Sequence, residues 1–163
     1  MNRIAIVVGL TLFTGVNALI ANSNSTQSSK DKEPIELGNF SMSLAVKDID
    51  VSKAFYEKLG FKVIMGSKKH GMYILQNDAS TIGVFEGHID KNTLTYNPGW
   101  ERDCSVLPDY DDVRDIQSRL KAAGIEITRT TDESATGPAH IVIMDPDGNP
   151  ILIDQHVPKP DKK

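Results

Sequence analysis

Two short segments of this chain carry the same pair of chemically able residues. Glu86-Gly87-His88 and Asp154-Gln155-His156 each set a carboxylate two positions before an imidazole. Alternate residues of a strand share a face, so each pair would be presented together, one step of ~6.6–6.8 Å apart. An acid beside an imidazole can move protons, contact a polar ligand or hold a metal ion. The plain alternative is that both strand ends emerge into water, where such residues are common. The sequence leaves these readings open.

Other residues could join them. Tyr96 and Trp100 lie in a connector, 87–102, too long for a hairpin loop; they could stack on a planar or apolar ligand. Alternatively Trp100, the only tryptophan, plugs a sheet edge. His140 opens an alternating segment with Val142 and Met144 and reads as a packed or rim histidine. His70, in Lys68-Lys69-His70-Gly71, reads as part of an exposed hairpin. Cys104 is the single cysteine, so one chain can build neither a disulfide nor a thiolate cluster, and burial in a strand is its expected role. Phosphate-binding glycine loops, a dinucleotide fingerprint and a serine elbow are all absent.

A chain of 163 residues suffices for one domain, and a hydrophobic share of 39% suits a globular chain. The net charge of −4 argues against a general affinity for nucleic acid or anionic membrane. Met1-Asn2-Arg3 precedes an apolar run, Ile4 to Phe13, and small residues near Ala18 and Ala21. That order predicts a secretory signal over 1–21, cut after Ala18 or Ala21, and so a periplasmic or secreted domain. An uncleaved anchor is the alternative; after cleavage no membrane attachment is expected, and no cysteine follows the run to carry a lipid. Residues 22–37, polar and Ser-rich, read as a flexible linker, and 158–163 as a polar tail.

Between them the pattern is doubled. Phe40–Lys47 alternates as a strand, and Asp48 can cap a helix with Val51, Ala54, Phe55 and Leu59 on one face and Gly60 as its stop. Strand candidates follow at Phe61–Met65, Met72–Gln76 and Ser80–Glu86. The second half repeats this order: a strand at Asp103–Leu107, and a helix capped by Asp111 or Asp112 with a stripe of Val113, Ile116, Leu120 and Ala123. Strands at Ile125–Thr128, His140–Met144 and Pro150–Gln155 follow. The predicted fold is α+β: two βαβββ modules, 38–88 and 103–157, within a domain spanning 38–157.

Two motifs carry a family resemblance. Asp48-x-x-x-Ser52-x-x-Phe55-Tyr56-x-x-x-Gly60-Phe61 resembles the first helix of the vicinal oxygen chelate superfamily, which includes glyoxalases, bleomycin-resistance proteins and extradiol dioxygenases. Asp145-Pro146-Asp147-Gly148-Asn149-Pro150 resembles the turn before that superfamily's last strand. Tyr96-Asn97-Pro98-Gly99-Trp100 is similar to a feature of one of its bacterial branches. The resemblance implies a curved, cup-like mixed sheet with helices outside, and a homodimer. In metal-using members it implies four inward side chains holding a divalent cation. Carried over singly, those positions fall on Ser41, Val84, Ser105 and Leu152, with Val84 set opposite Leu152 by aligning the two last strands. Two hydroxyls and two alkyl groups do not hold a divalent ion. The same alignment pairs Glu86 with Asp154 and His88 with His156, as a polar cluster at the rim of the cup.

The expectation is therefore a small organic ligand held in the cup without a cofactor, by Ser41, Val84, Tyr96, Trp100, Ser105 and Leu152. A lyase or isomerase of the lactoylglutathione-lyase type is the alternative, with Glu86, His88, Asp154 and His156 as catalytic candidates or a displaced metal site. A third reading is a non-catalytic dimer that presents the Tyr96–Trp100 loop to a partner.

Overall fold

The computed structural model describes residues 34–161; the signal segment and residues 22–33 of the linker lie outside the described residues. Each strand and helix follows from its local chemistry. β1 (Asn39–Val46) leads to Asp48, whose carboxylate accepts from Asp50 N and Val51 N at 3.0 Å and so caps α1 (Ile49–Lys58). Gly60, at φ +89°, ends that helix in the left-handed region. β2 (Lys62–Ser67), β3 (Met72–Gln76) and β4 (Thr81–Glu86) complete the first module.

The second module opens earlier than the sequence predicts. Its first strand is β5 (Thr93–Asn97), not Asp103–Leu107, where only an isolated bridge joins Val106 to Trp100. Thr93, Thr95 and Asn97 form the buried face of β5, while Leu94 and Tyr96 are half-buried on the other. A strand whose buried side is hydroxyl and amide does not show the apolar alternation that marks most strands. Then come α2 (Val113–Ala122), capped by Asp112, and β6 (Ile127–Arg129), β7 (Ala139–Met144) and β8 (Pro150–Gln155).

The eight strands form one curved, unclosed sheet in the order β2-β3-β4-β1-β5-β8-β7-β6. β1 and β5 meet antiparallel at the centre, with Ser41 opposite Thr95. β1 pairs parallel with β4, and β5 with β8, where Thr95 sits opposite Leu152. The two modules are thus related by an approximate twofold between β1 and β5.

Both helices pack on the same face. Ile49 of α1 packs with Leu75, Ile82 and Val84 of the sheet; Val113, Ile116 and Leu120 of α2 pack with Ile141, Ile143 and Ile153. Ile35 and Leu37, assigned to a flexible linker by sequence, pack against this second cluster. The expected stripe of α1 is also corrected. Val51, Phe55 and Leu59 are 66%, 56% and 58% exposed, whereas Ile49 is buried and Tyr56 packs inward. The inward face begins two positions earlier, about 200° around the helix. α2 shows why: Asp48 and Asp112 are equivalent caps, so Ile49 and Tyr56 match Val113 and Leu120.

Candidate functional site

The concave face of the sheet, opposite the helices, encloses a cavity of about 350 Å³. The central strands supply its floor. Ser41 and Ser43 of β1 and Thr93, Thr95 and Asn97 of β5 point into it, and the Ser43 and Thr95 hydroxyls lie 2.8 Å apart. Ile64, Met65, Met72, Ile74 and Phe85, from β2, β3 and β4, make an apolar wall. Gly83 leaves the space that the Phe85 ring fills: a Cβ there would collide with that ring.

At the other side β8 presents Leu152 and Asp154, and His156 follows just past its end. Asp154 Oδ2 lies 3.2 Å from His156 Nε2, and Trp100 stacks on the His156 ring with centroids 4.3 Å apart. The backbone here is held twice over. Asn97 Nδ2 donates to Asp154 O at 2.9 Å. Gln155, between the two functional residues, points the opposite way and is fully buried. Its Oε1 accepts from Val113 N at 2.8 Å, and its Nε2 donates to Asp112 Oδ2 and Val157 O. Asp112 in turn pairs with buried Arg114, so the start of α2 fixes the direction of Asp154 and His156.

The connector after β5 closes one end of the cup. Arg102 donates to the carbonyl oxygens of Asp78 and Asn77 in the β3–β4 turn, and Arg102 O accepts from Gln76 Nε2. This strap carries Trp100 and Cys104 to the cavity. Burial, followed by the nearby charge of Asp103, pushes the Cys104 thiol above its ordinary range, so it is protonated at neutral pH. Cys104 stands in a loop at φ +66°, not in a strand.

Of the sequence-predicted residues, Ser41, Trp100, Leu152, Asp154 and His156 line the cavity. Four others do not. Val84 is buried beneath α1. Tyr96 turns to the convex side, 5.2 Å from Phe40 between ring centroids. Ser105 is exposed in the connector. Glu86 lies on Val84's face, and its Oε2 accepts from Ile49 N at the start of α1. His88 bonds through Nε2 to His70 O at 3.0 Å, over Gly71. The four-residue rim cluster is therefore not assembled.

The error lies in strand register. Ser41 and Thr95 are twofold-equivalent, and Thr95 faces Leu152. Continuing one step from Met42↔Ile82 sets Ser41 beside Thr81. Thr81, not Val84, thus matches Leu152, an odd offset of three, and an odd slip moves every side chain to the other face. Correctly aligned, Asp154 and His156 match Gly83 and Phe85. Sequence reasoning missed Thr81, Thr93, Thr95, Asn97 and Phe85; the alternation Thr93-x-Thr95-x-Asn97 was the available signal.

The family's cation would meet Ser41, Thr81, Thr95 and Leu152. Three neutral hydroxyls and an isobutyl group are a poor donor set for a divalent ion, which asks for imidazole, carboxylate or thiolate. Among the described residues no three His, Cys, Asp or Glu side chains converge on one point.

Comparisons with known proteins agree with this geometry at the level of fold. Among curated proteins none matches the chain. A glyoxalase/bleomycin resistance protein/dioxygenase superfamily member from Vibrio splendidus 12B01 is 17% identical, with a TM-score of 0.50 over 72% of this chain and 97% of its own. A structure titled as an NAD-dependent benzaldehyde dehydrogenase from Legionella pneumophila is 17% identical, with a TM-score of 0.55 over 72% of this chain and 99% of its own. At such identities the likeness speaks for the fold. The family model described as the Glyoxalase/Bleomycin resistance protein/Dioxygenase superfamily matches residues 39–153, and the chain belongs to that superfamily.

Proposed function

We propose that the protein binds a small organic molecule in the cup, without a divalent ion at the family's cation position. The observation that carries this reading is the ring formed by Ser41, Thr81, Thr95 and Leu152 inside a cavity of about 350 Å³. That size falls in the range of small-molecule sites, and an apolar wall facing a few convergent polar groups is their usual composition. Hydroxyls at the floor can bond a ligand oxygen or nitrogen directly. Isothermal titration of purified protein with a panel of small aromatic compounds, paired with elemental analysis, tests this. Saturable binding by metal-free protein is expected. Stoichiometric zinc, nickel or manganese, required for binding, would overturn it.

One observation favours a second reading, an enzyme of the lyase or isomerase class. Asp154 and His156, 3.2 Å apart, form an acid–imidazole pair open to the cavity. Asp154 would orient the ring and His156 would carry the proton. The pair needs no metal for that step.

The domain is further proposed to be exported and to form a homodimer. The basic start and apolar run of residues 1–21 support export; among the described residues no helix is long and apolar enough to cross a membrane. The exposed face of Val51, Phe55 and Leu59 supports self-association. Mass spectrometry of the exported protein should find a chain starting at Leu19 or Asn22. An intact Met1 there would remove the cleaved-signal reading.

A further inference from the structure

The charge of the cup is one-sided. Among the described residues no lysine or arginine lines it. Its carboxylate is Asp154, and among the described residues that group has a single side-chain partner, His156, reached through Oδ2 alone. The other polar lining groups of the floor, among them Asn39, Ser43, Thr93 and Asn97, are neutral. Opposite them stands the wall of Ile64, Met65, Ile74 and Phe85.

An anionic ligand would lose its hydration here and meet the Asp154 carboxylate with no lysine or arginine among the described lining residues to offset it. An ammonium group meets the reverse. A carboxylate offers about four lone-pair sites, and His156 takes one oxygen of Asp154. The amide and hydroxyl oxygens of the floor can accept the remaining N–H donors. An aromatic or branched aliphatic body then fits against the apolar wall.

We infer that the ligand of this cup is a small amphipathic organic cation, its ammonium on Asp154 and its apolar body against the Ile64–Ile74–Phe85 wall. The inference rests on the proposed binding role of the cup and names the charge class of what it holds.

Three probes of one shape decide it: 1-naphthylmethylamine, 1-naphthalenemethanol and 1-naphthaleneacetate, titrated calorimetrically into the full chain at neutral pH. The amine should bind about tenfold or more tighter than the carboxylate, ~1.4 kcal/mol or more, with the alcohol between them. In Asp154→Asn that ratio should shrink to about twofold or less. Among the described residues the Asp154 side chain, 28% exposed, makes no bond beyond His156, and the wild-type ratio decides the matter even if the variant folds poorly. A carboxylate that binds as tightly as the amine, or a ratio that survives Asp154→Asn, overturns the charge inference and leaves the binding role standing. Failure of all three probes to saturate removes the binding role, and the inference with it.

Discussion

Trp100 lies flat on the imidazole of His156, with the two planes 16° apart. The contact joins the connector after β5 to the end of β8, across the mouth of the cup. Trp100 is the only tryptophan, so its emission reports on this one place. The stacked imidazole should quench that emission. His156→Leu should relieve the quenching and raise the emission. Unchanged emission in that variant would show that the stack does not exist in solution.

Gln155 makes three hydrogen bonds from a fully buried position, two of them to the start of α2. Gln155→Leu keeps the volume but leaves Val113 N and Val157 O unpaired. A loss of about 2–3 kcal/mol in urea unfolding is expected. The His156–Trp100 quench should weaken in the same variant under native conditions. A loss below about 0.5 kcal/mol would mean that the network does not hold the strand end.

The orientation of α1 separates two neighbouring residues sharply. Ile49→Ala removes a buried side chain and should cost about 2–4 kcal/mol. Val51→Ala, at an exposed site, should stay within about 0.5 kcal/mol. If the exposed face mediates self-association, Phe55→Ser should shift sedimentation toward monomer without lowering the unfolding midpoint of the monomer. The reverse order of costs would return the sequence-predicted stripe to the core.

Cys104 should alkylate slowly with iodoacetamide. Its thiol is held above the ordinary range by burial, so the thiolate, the reactive form, appears only at higher pH than in a free cysteine. The rate should climb through a more alkaline window than that of a control peptide. A ligand seated in the cup should slow it further. Fast modification at neutral pH would place the thiol outside the cavity.

The register itself can be tested by building what the family position lacks. Ser41 faces Thr95, and Thr95 faces Leu152. Ser41→His with Thr95→His and Leu152→Glu brings three donors together, enough for a zinc site with an open position. Calorimetry should then show saturable Zn²⁺ binding, absent from the parent chain. The same donors at Val84 and Ser105 should give none, since one is buried beneath α1 and the other is exposed in the connector.

Much of the architecture is legible from residue order. Aspartate caps, glycine stops and the Asp145–Asn149 turn are local chemistry, and each stands where the sequence puts it: Asp145 Oδ1 accepts from Asn149 N at 2.8 Å, and Gly148 sits at φ +82°. Such features depend on a few neighbouring residues, so they survive without knowledge of the rest of the chain. Helix and strand order, and with it the doubled module, follow from them. Ser41 and Leu152 both line the cavity, and each is a short count from a local landmark, Leu44 and Gly148.

What lay beyond the sequence was pairing across distance. Which face of β4 turns to the cup depends on its parallel register with β1, and alternation alone leaves that choice two-valued. Val84 and Glu86 were lost to it, while Thr81 and Phe85 were gained. β5 went unseen because its buried side is hydroxyl and amide, polar groups that the fold buries where they can bond one another, as Ser43 and Thr95 do. The meeting of Asp154, His156 and Trp100 joins segments more than fifty residues apart, and only the folded sheet and its strap bring them into contact.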